Sequence, residues 1–169
     1  MLKYFLFDYF LGRIKELIIT AGGENVAPVP IEELIKRECP LISNAVLIGD
    51  KKKFLTVFLT IKTVVDKDTE SPTKTLTPTA RDWCSSLGRP DIRSVDDILQ
   101  DPDPLIMGAI QAAIDRANRH AVPNAAKVQK WTILPLDLSV NGGELGPTLK
   151  LKRFAFAKKF AHAVDNLYV

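Results

Sequence analysis

The sequence predicts a small α/β domain of the α+β kind, a short sheet packed by helices. Three observations carry this expectation. Two apolar, β-branched runs, "ISNAVLIGD" (42–50) and "FLTVFLTIK" (54–62), are joined by the cationic link Lys51–Lys53, which suits a strand pair. A third run, "VQKWTILP" (128–135), supplies a late strand. The stretches before and between these runs carry apolar residues at helical spacing instead.

Taken in order, "MLKYFLFDYFLGR" opens with an apolar stretch that Asp8 interrupts, and no small-residue cleavage site follows it. It is shorter than the about 20 apolar residues that cross a bilayer, so it reads as a strand or packing segment. "KELIIT" (15–20) reads as a strand entering the tight turn Ala21-Gly22-Gly23. "VPIEELIKREC" (29–39) reads as a helix with Pro30 at its first position, Glu32 and Glu33 in the first turn and Lys36 and Arg37 near the end. That order of charges suits the helix dipole. Ile31, Leu34 and Ile35 form its buried stripe, and Pro40 stops it.

In the strand at 54–62, Leu55, Val57, Leu59 and Ile61 alternate with Phe54, Thr56, Phe58 and Thr60, and the wholly aliphatic set is the expected core face. Residues 63–79, rich in Asp, Thr, Ser and Pro, read as a loop or insertion. Helices are expected near 77–87, at 94–100 and from Pro104 to about Ala121; Leu105, Ile106, Ala109, Ile110, Ala113 and Ile114 mark one face of the last. Residues 136–149 are irregular, and "LKRFAFAKKFAHAVDNLY" from Leu151 reads as one amphipathic basic helix whose Phe154, Phe156 and Phe160 pack on the domain.

Composition excludes several classes. With 169 residues, 46% of them hydrophobic and 25% charged, the chain can bury a core. A net charge of +3 is too mild to mark a nucleic-acid binder, and no aromatic platform interleaves the cations. Cys39 and Cys84 stand apart without a CxxC or histidine partner, which points to a reducing compartment and no zinc site. His120 and His162 stand alone and read as helix-surface residues; no triad or metal cluster is visible.

One stretch fits none of these plain readings. "GELGPTLKLKR" (143–153) sets Gly146, Pro147 and Thr148 directly before Lys150, Lys152 and Arg153. It looks built to present one lysine from a constrained turn. Read together with "GRIKELIITAGGENVAPVPIEE" (12–33), it resembles the C-terminal domain of the adenylate-forming enzymes, the acyl-CoA synthetase and luciferase superfamily. With "ISNAVLIGDKKKFLTVFLT" included, it is most similar to the bubblegum-type long-chain acyl-CoA synthetases. The likeness runs from Gly12 to the end, and it departs from the generic PTGK motif by placing Leu149 where those enzymes carry glycine.

The resemblance implies a two-step reaction: ATP-dependent adenylation of a fatty acid, then thioester formation with CoA. It implies that residues 12–169 are the mobile C-terminal domain, with 63–125 as a loop and helical elaboration and 1–11 as an atypical lead-in. Lys150 then matches the lysine that meets the carboxylate and the ATP α-phosphate as the adenylate forms. Two anions meet in that step, and a compact cation on a flexible stem is what their transition state lacks. Arg13 matches the arginine that touches the ribose, and Lys15 the hinge about which the domain rotates. Ala21, Gly22 and Gly23 match the loop that lines the pantetheine channel; as plain residues they are equally an ordinary turn needing positive φ. Lys152 and Arg153 read as solvated or phosphate-steering cations.

The large N-terminal domain, which in the family holds ATP, most of the Mg²⁺ environment and the acyl tunnel, has no counterpart here. The expectation is a fragment inactive on its own, cytoplasmic or peripheral on the endoplasmic reticulum membrane. The alternative is a non-catalytic regulatory module that docks on a complete synthetase, or on an anionic membrane surface through 151–166.

Overall fold

Strand β4 (Leu55–Ile61) is buried along its whole length, because both of its faces are covered. The structure is a computed structural model that describes residues 16–121 and 124–169. A short hairpin of β1 (Ile18–Ile19) and β2 (Asn25–Val26) leads into α1 (Pro28–Glu38). Strand β3 (Ile42–Ile48) pairs antiparallel with β4, and β7 (Val128–Ile133) joins the other edge of β4 in parallel. The connection between those parallel strands carries the hairpin β5 (Thr63–Val65) and β6 (Pro72–Leu76), then α2 (Pro78–Ser86), α3 (Val95–Leu99) and α4 (Pro104–Asn118). Helices α5 (Arg153–Lys159) and α6 (Ala161–Leu167) close the chain.

The alternation of β4 sorts the core into two. Leu55, Val57, Leu59 and Ile61 face one cluster with Ile35 of α1 and Ile106, Ile110 and Ile114 of α4, as the aliphatic pattern predicts. Phe58, on the other face, packs with Val46, Ile48, Leu138, Leu145, Phe156 and Val164. Its ring meets Phe156 edge-on at 5.6 Å. The C-terminal segment is therefore the second layer of the sheet. The buried threonines on this face are satisfied: Thr60 donates to Asp137 (2.5 Å) and Thr56 to the Tyr168 hydroxyl (3.2 Å).

Several elements differ from the sequence expectation. Residues 63–79 are not a loop: they hold the β5–β6 hairpin, whose turn is capped by Asp66 accepting from the N–H groups of Asp68 (3.0 Å) and Thr69 (2.8 Å). Its low apolar content reflects exposure, since only Thr63 and Leu76 of the two strands are buried. Helix α1 begins at Pro28 rather than Pro30, so Glu32 lies beyond the first turn and is buried. The C-terminal basic helix is two helices, broken at Phe160, whose φ of −103° and ψ of 23° serve as the end of one and the start of the next. Phe156 is buried as expected, but Phe154 is 85% exposed. The expected strand or packing segment at the N-terminus, and residues 1–11 as a whole, lie outside the described residues.

Candidate functional site

The loop that carries Lys150 is closed by backbone bonds at both ends. Leu145 and Leu151 form an antiparallel bridge, and the Lys152 N–H donates to the Glu144 carbonyl at 2.7 Å. Inside it, the Gly146 N–H donates to the Lys150 carbonyl (2.7 Å) and the Leu149 N–H to the Gly146 carbonyl (2.8 Å). The residue that bends this turn is Leu149, at φ +60°. Gly146 has no positive φ, and a Cβ there would meet its nearest neighbour, the Lys150 carbonyl oxygen, at an ordinary 3.6 Å. A leucine thus occupies the left-handed conformation that favours glycine.

Lys150 projects half exposed, with its Nζ 3.1 Å from the Glu16 carboxylate. It borders a cleft of about 440 Å³ that also takes in Glu16, Glu32, Lys36, Asn44 and Phe154. The floor of the cleft is an ion pair that the sequence reading missed. Arg153 donates from Nη1 to Glu32 Oε1 (2.6 Å) and from Nη2 to Oε2 (3.0 Å), a two-pronged match of guanidinium and carboxylate. The backbone of Leu47 completes it, with its N–H on Glu32 (2.7 Å) and its carbonyl accepting from Arg153 Nη1 (2.9 Å). Arg153 is therefore a structural cation joining α5 to α1 and β3, not a solvated or phosphate-steering one. Glu32 likewise serves this pair, not the helix dipole. A signal was present: Pro28, Glu32 and Ile35 share the buried face of α1 at helical spacing, so a carboxylate on that stripe required a partner.

A second buried carboxylate, Glu144, supports the loop from the other side. It pairs with Lys159 of α5 and accepts from the Ser139 N–H at 3.3 Å.

The turn Ala21-Gly22-Gly23 lies elsewhere. It is exposed and is not part of the wall of the Lys150 cleft. The Ala21 N–H donates to the Lys52 carbonyl (2.9 Å) and the Lys51 N–H to the Ile19 carbonyl (2.7 Å), so the turn is fastened to the β3–β4 link. Gly23 has φ +79°, while a Cβ on Gly22 would meet only Thr20 Oγ1, at 3.8 Å. The positive-φ requirement belongs to Gly23 alone. Gly22 leaves open space. Arg13 and Lys15 lie outside the described residues.

Residues 15–86, from before β1 through α2, match the family model of the AMP-binding enzyme C-terminal domain. Over this stretch the chain is similar to that domain. Its resemblance to the bubblegum-type ligases extends further: it is 51% identical over 162 residues to the long-chain-fatty-acid–CoA ligase ACSBG2 of Gallus gallus and 48% identical over the same length to ACSBG1 of Homo sapiens. Each alignment takes in 96% of this chain, but only 21% and 22% of those proteins, so the chain spans about a fifth of the length of these relatives. Among solved structures, the adenylation domain of a carboxylate reductase from Mycobacterium chelonae matches with a TM-score of 0.64 at 19% identity, over 94% of this chain and 20% of that one. The corresponding domain from Segniliparus rugosus, solved with AMP and a carboxylic acid, matches with a TM-score of 0.62 at 16% identity, over 92% of this chain and 20% of that one. At those identities the likeness shows the fold of the C-terminal domain.

Proposed function

We propose that this chain is the C-terminal portion of a long-chain fatty acid–CoA ligase, with Lys150 as its catalytic cation. The observation that carries the reading is the presentation of Lys150: a half-exposed ammonium on a turn closed by backbone bonds, next to a rigidly paired Arg153. In the first step a fatty-acid carboxylate oxygen attacks the α-phosphorus of ATP, the bond to the pyrophosphate leaving group breaks, and an acyl-adenylate forms. Lys150 offsets the negative charge shared between carboxylate and phosphate in that transition state. In the second step the CoA thiolate attacks the acyl carbon and AMP leaves.

Binding of ATP and of the acyl chain belongs to the preceding domain of the complete enzyme. So does Mg²⁺, which that domain and the nucleotide hold. By itself this chain forms no adenylate. The turn at Ala21, Gly22 and Gly23 serves the second step, where a thin pantetheine arm needs an open backbone path, and the space around Gly22 supports that role.

The test is Lys150→Ala in a ligase in which this chain follows a matching large domain. ATP–pyrophosphate exchange with palmitate is expected to fall roughly a hundredfold or more, the scale of about 3 kcal/mol for removing a transition-state charge partner. Thioester formation from supplied acyl-adenylate is expected to survive. Equal loss in both steps would make Lys150 a structural residue and overturn the reading.

A further inference from the structure

Leu149 combines two features that nothing among the described residues repays. Its backbone sits at φ +60°, and its side chain is 70% exposed. A glycine would adopt the same turn without strain, and a polar residue would leave less apolar surface in water. Strain held beside a functional group is a pointer to what that group does. Phe154 repeats the pattern five residues on. Arg153 is drawn inward to Glu32 and Phe156 is buried, so Phe154 between them is turned outward, 85% exposed. Among the described residues only Val169, at the chain terminus, is a large hydrophobe more exposed than these two. Both border the same cleft as Lys150.

We propose that Leu149 is a positioning residue for adenylate formation: it inserts into an apolar rim around the carboxylate and phosphate pocket of the preceding domain, and so fixes the depth to which Lys150 enters. Phe154 forms the second apolar contact of the same seat. The inference rests on the ligase reading above. The occupant follows from what lies on the surface and what lies outside the chain. Two apolar side chains flank a cation, which complements an anionic pocket with an apolar edge. The relatives in turn have about four-fifths of their length beyond the aligned part. The strained turn then has a purpose: it points a leucine and the next residue's ammonium at one target from a loop closed by backbone bonds at both ends.

The test uses a complete ligase that contains this sequence, with Lys150→Ala as reference. Leu149→Gly and Leu149→Asn are expected to lower ATP–pyrophosphate exchange roughly tenfold or more, the scale for withdrawing a leucine from a buried contact. Thioester formation from supplied acyl-adenylate is expected to stay at the parent rate in both. Leu149→Met, which keeps an apolar side chain in the same backbone, is expected to restore most of the exchange. The thermal midpoint of Leu149→Gly is expected to equal or exceed the parent's, because strain is relieved, and this separates positioning from folding. Exchange at the parent rate in Leu149→Gly or Leu149→Asn, with Lys150→Ala crippled, would overturn this inference and leave the ligase reading standing. Equal loss of both steps in Leu149→Gly would overturn it as well. Full exchange in Lys150→Ala would remove the ligase reading, and this inference with it.

Discussion

Replacing Arg153 by alanine gives the most demanding test of how the Lys150 loop is held. The Glu32 side chain is 8% exposed and the Arg153 side chain 20%. Without the guanidinium, Glu32 keeps only the Leu47 N–H and remains a buried, uncompensated charge. Breaking a buried pair by removing one partner costs about 3–5 kcal/mol. The lower end applies here, because Arg153 is partly hydrated. For a chain of this size about 3 kcal/mol corresponds to a fall of roughly 6–12 °C in thermal midpoint. Urea unfolding followed by far-UV circular dichroism measures it directly. The double variant Glu32→Met with Arg153→Met supplies the control, since apolar residues of similar volume remove both charges together. It is expected to recover most of the loss, giving a favourable coupling energy in the double-mutant cycle. A loss under about 1 kcal/mol in Arg153→Ala, or a double variant as weak as the sum of its singles, would refute the claim that this pair is buried and mutually dependent.

Other expectations follow from single contacts. Tyr168→Phe removes a hydroxyl that donates to the Ile48 and Phe54 carbonyls, both at 3.0 Å, and is expected to cost about 1 kcal/mol by the same unfolding assay. Gly49→Ala drives a methyl group into the buried Leu55 side chain and is expected to cost about 1–3 kcal/mol, whereas Gly146→Ala has room and is expected to leave stability unchanged. Burial pushes both thiols, Cys39 and Cys84, up to about 11, so Ellman's reagent is expected to label neither at pH 8 until the chain unfolds. Since the folded value is the higher one, this contribution to stability is complete below pH 9 and is lost as pH rises from about 9 through 11, which denaturation midpoints across that range would show. In the complete ligase, Gly22→Phe is expected to leave folding and adenylate formation intact and to slow thioester formation; slowing of both steps alike would separate this turn from the CoA path.

Local pattern carried the sheet and most of the helices, and its failures share a cause. The alternation along 54–62 identified the aliphatic face of β4 correctly because that face meets helices whose own apolar spacing was visible. It did not reveal that Thr56, Phe58 and Thr60 are equally buried, since the layer covering them comes from residues about a hundred positions later. Pairing across such distances leaves no periodic trace. The same holds for Glu32 and Arg153, which are 121 residues apart and each unremarkable in its own segment. Their positions read as helix-dipole charge and solvated cation because neither partner announces the other. The β5–β6 hairpin was hidden differently: an edge ribbon with one buried residue per strand has too little apolar signal to separate it from a loop. In the candidate site, the "GPTLK" stretch reads as a constrained turn from its sequence, and the structure adds that the positive φ belongs to Leu149.

The bonds around residues 144–153 have a mechanical consequence. One end of the segment is joined to the other by the Leu145–Leu151 bridge, and Arg153 fixes it to α1 and to β3 at Leu47. Glu144 adds a tie to α5 through Lys159. The ammonium of Lys150 can swing on its own four-carbon stem, while its Cα sits in a turn held by these bonds. Any displacement larger than that stem must carry two helices and a strand with it, as the tip of a lever moves only with its arm. A small anion arriving near the loop therefore gains no induced fit from it: delivery of Lys150 to a distant target is a matter of turning the whole body, and the stiffness that holds the turn at rest is the stiffness that transmits the motion.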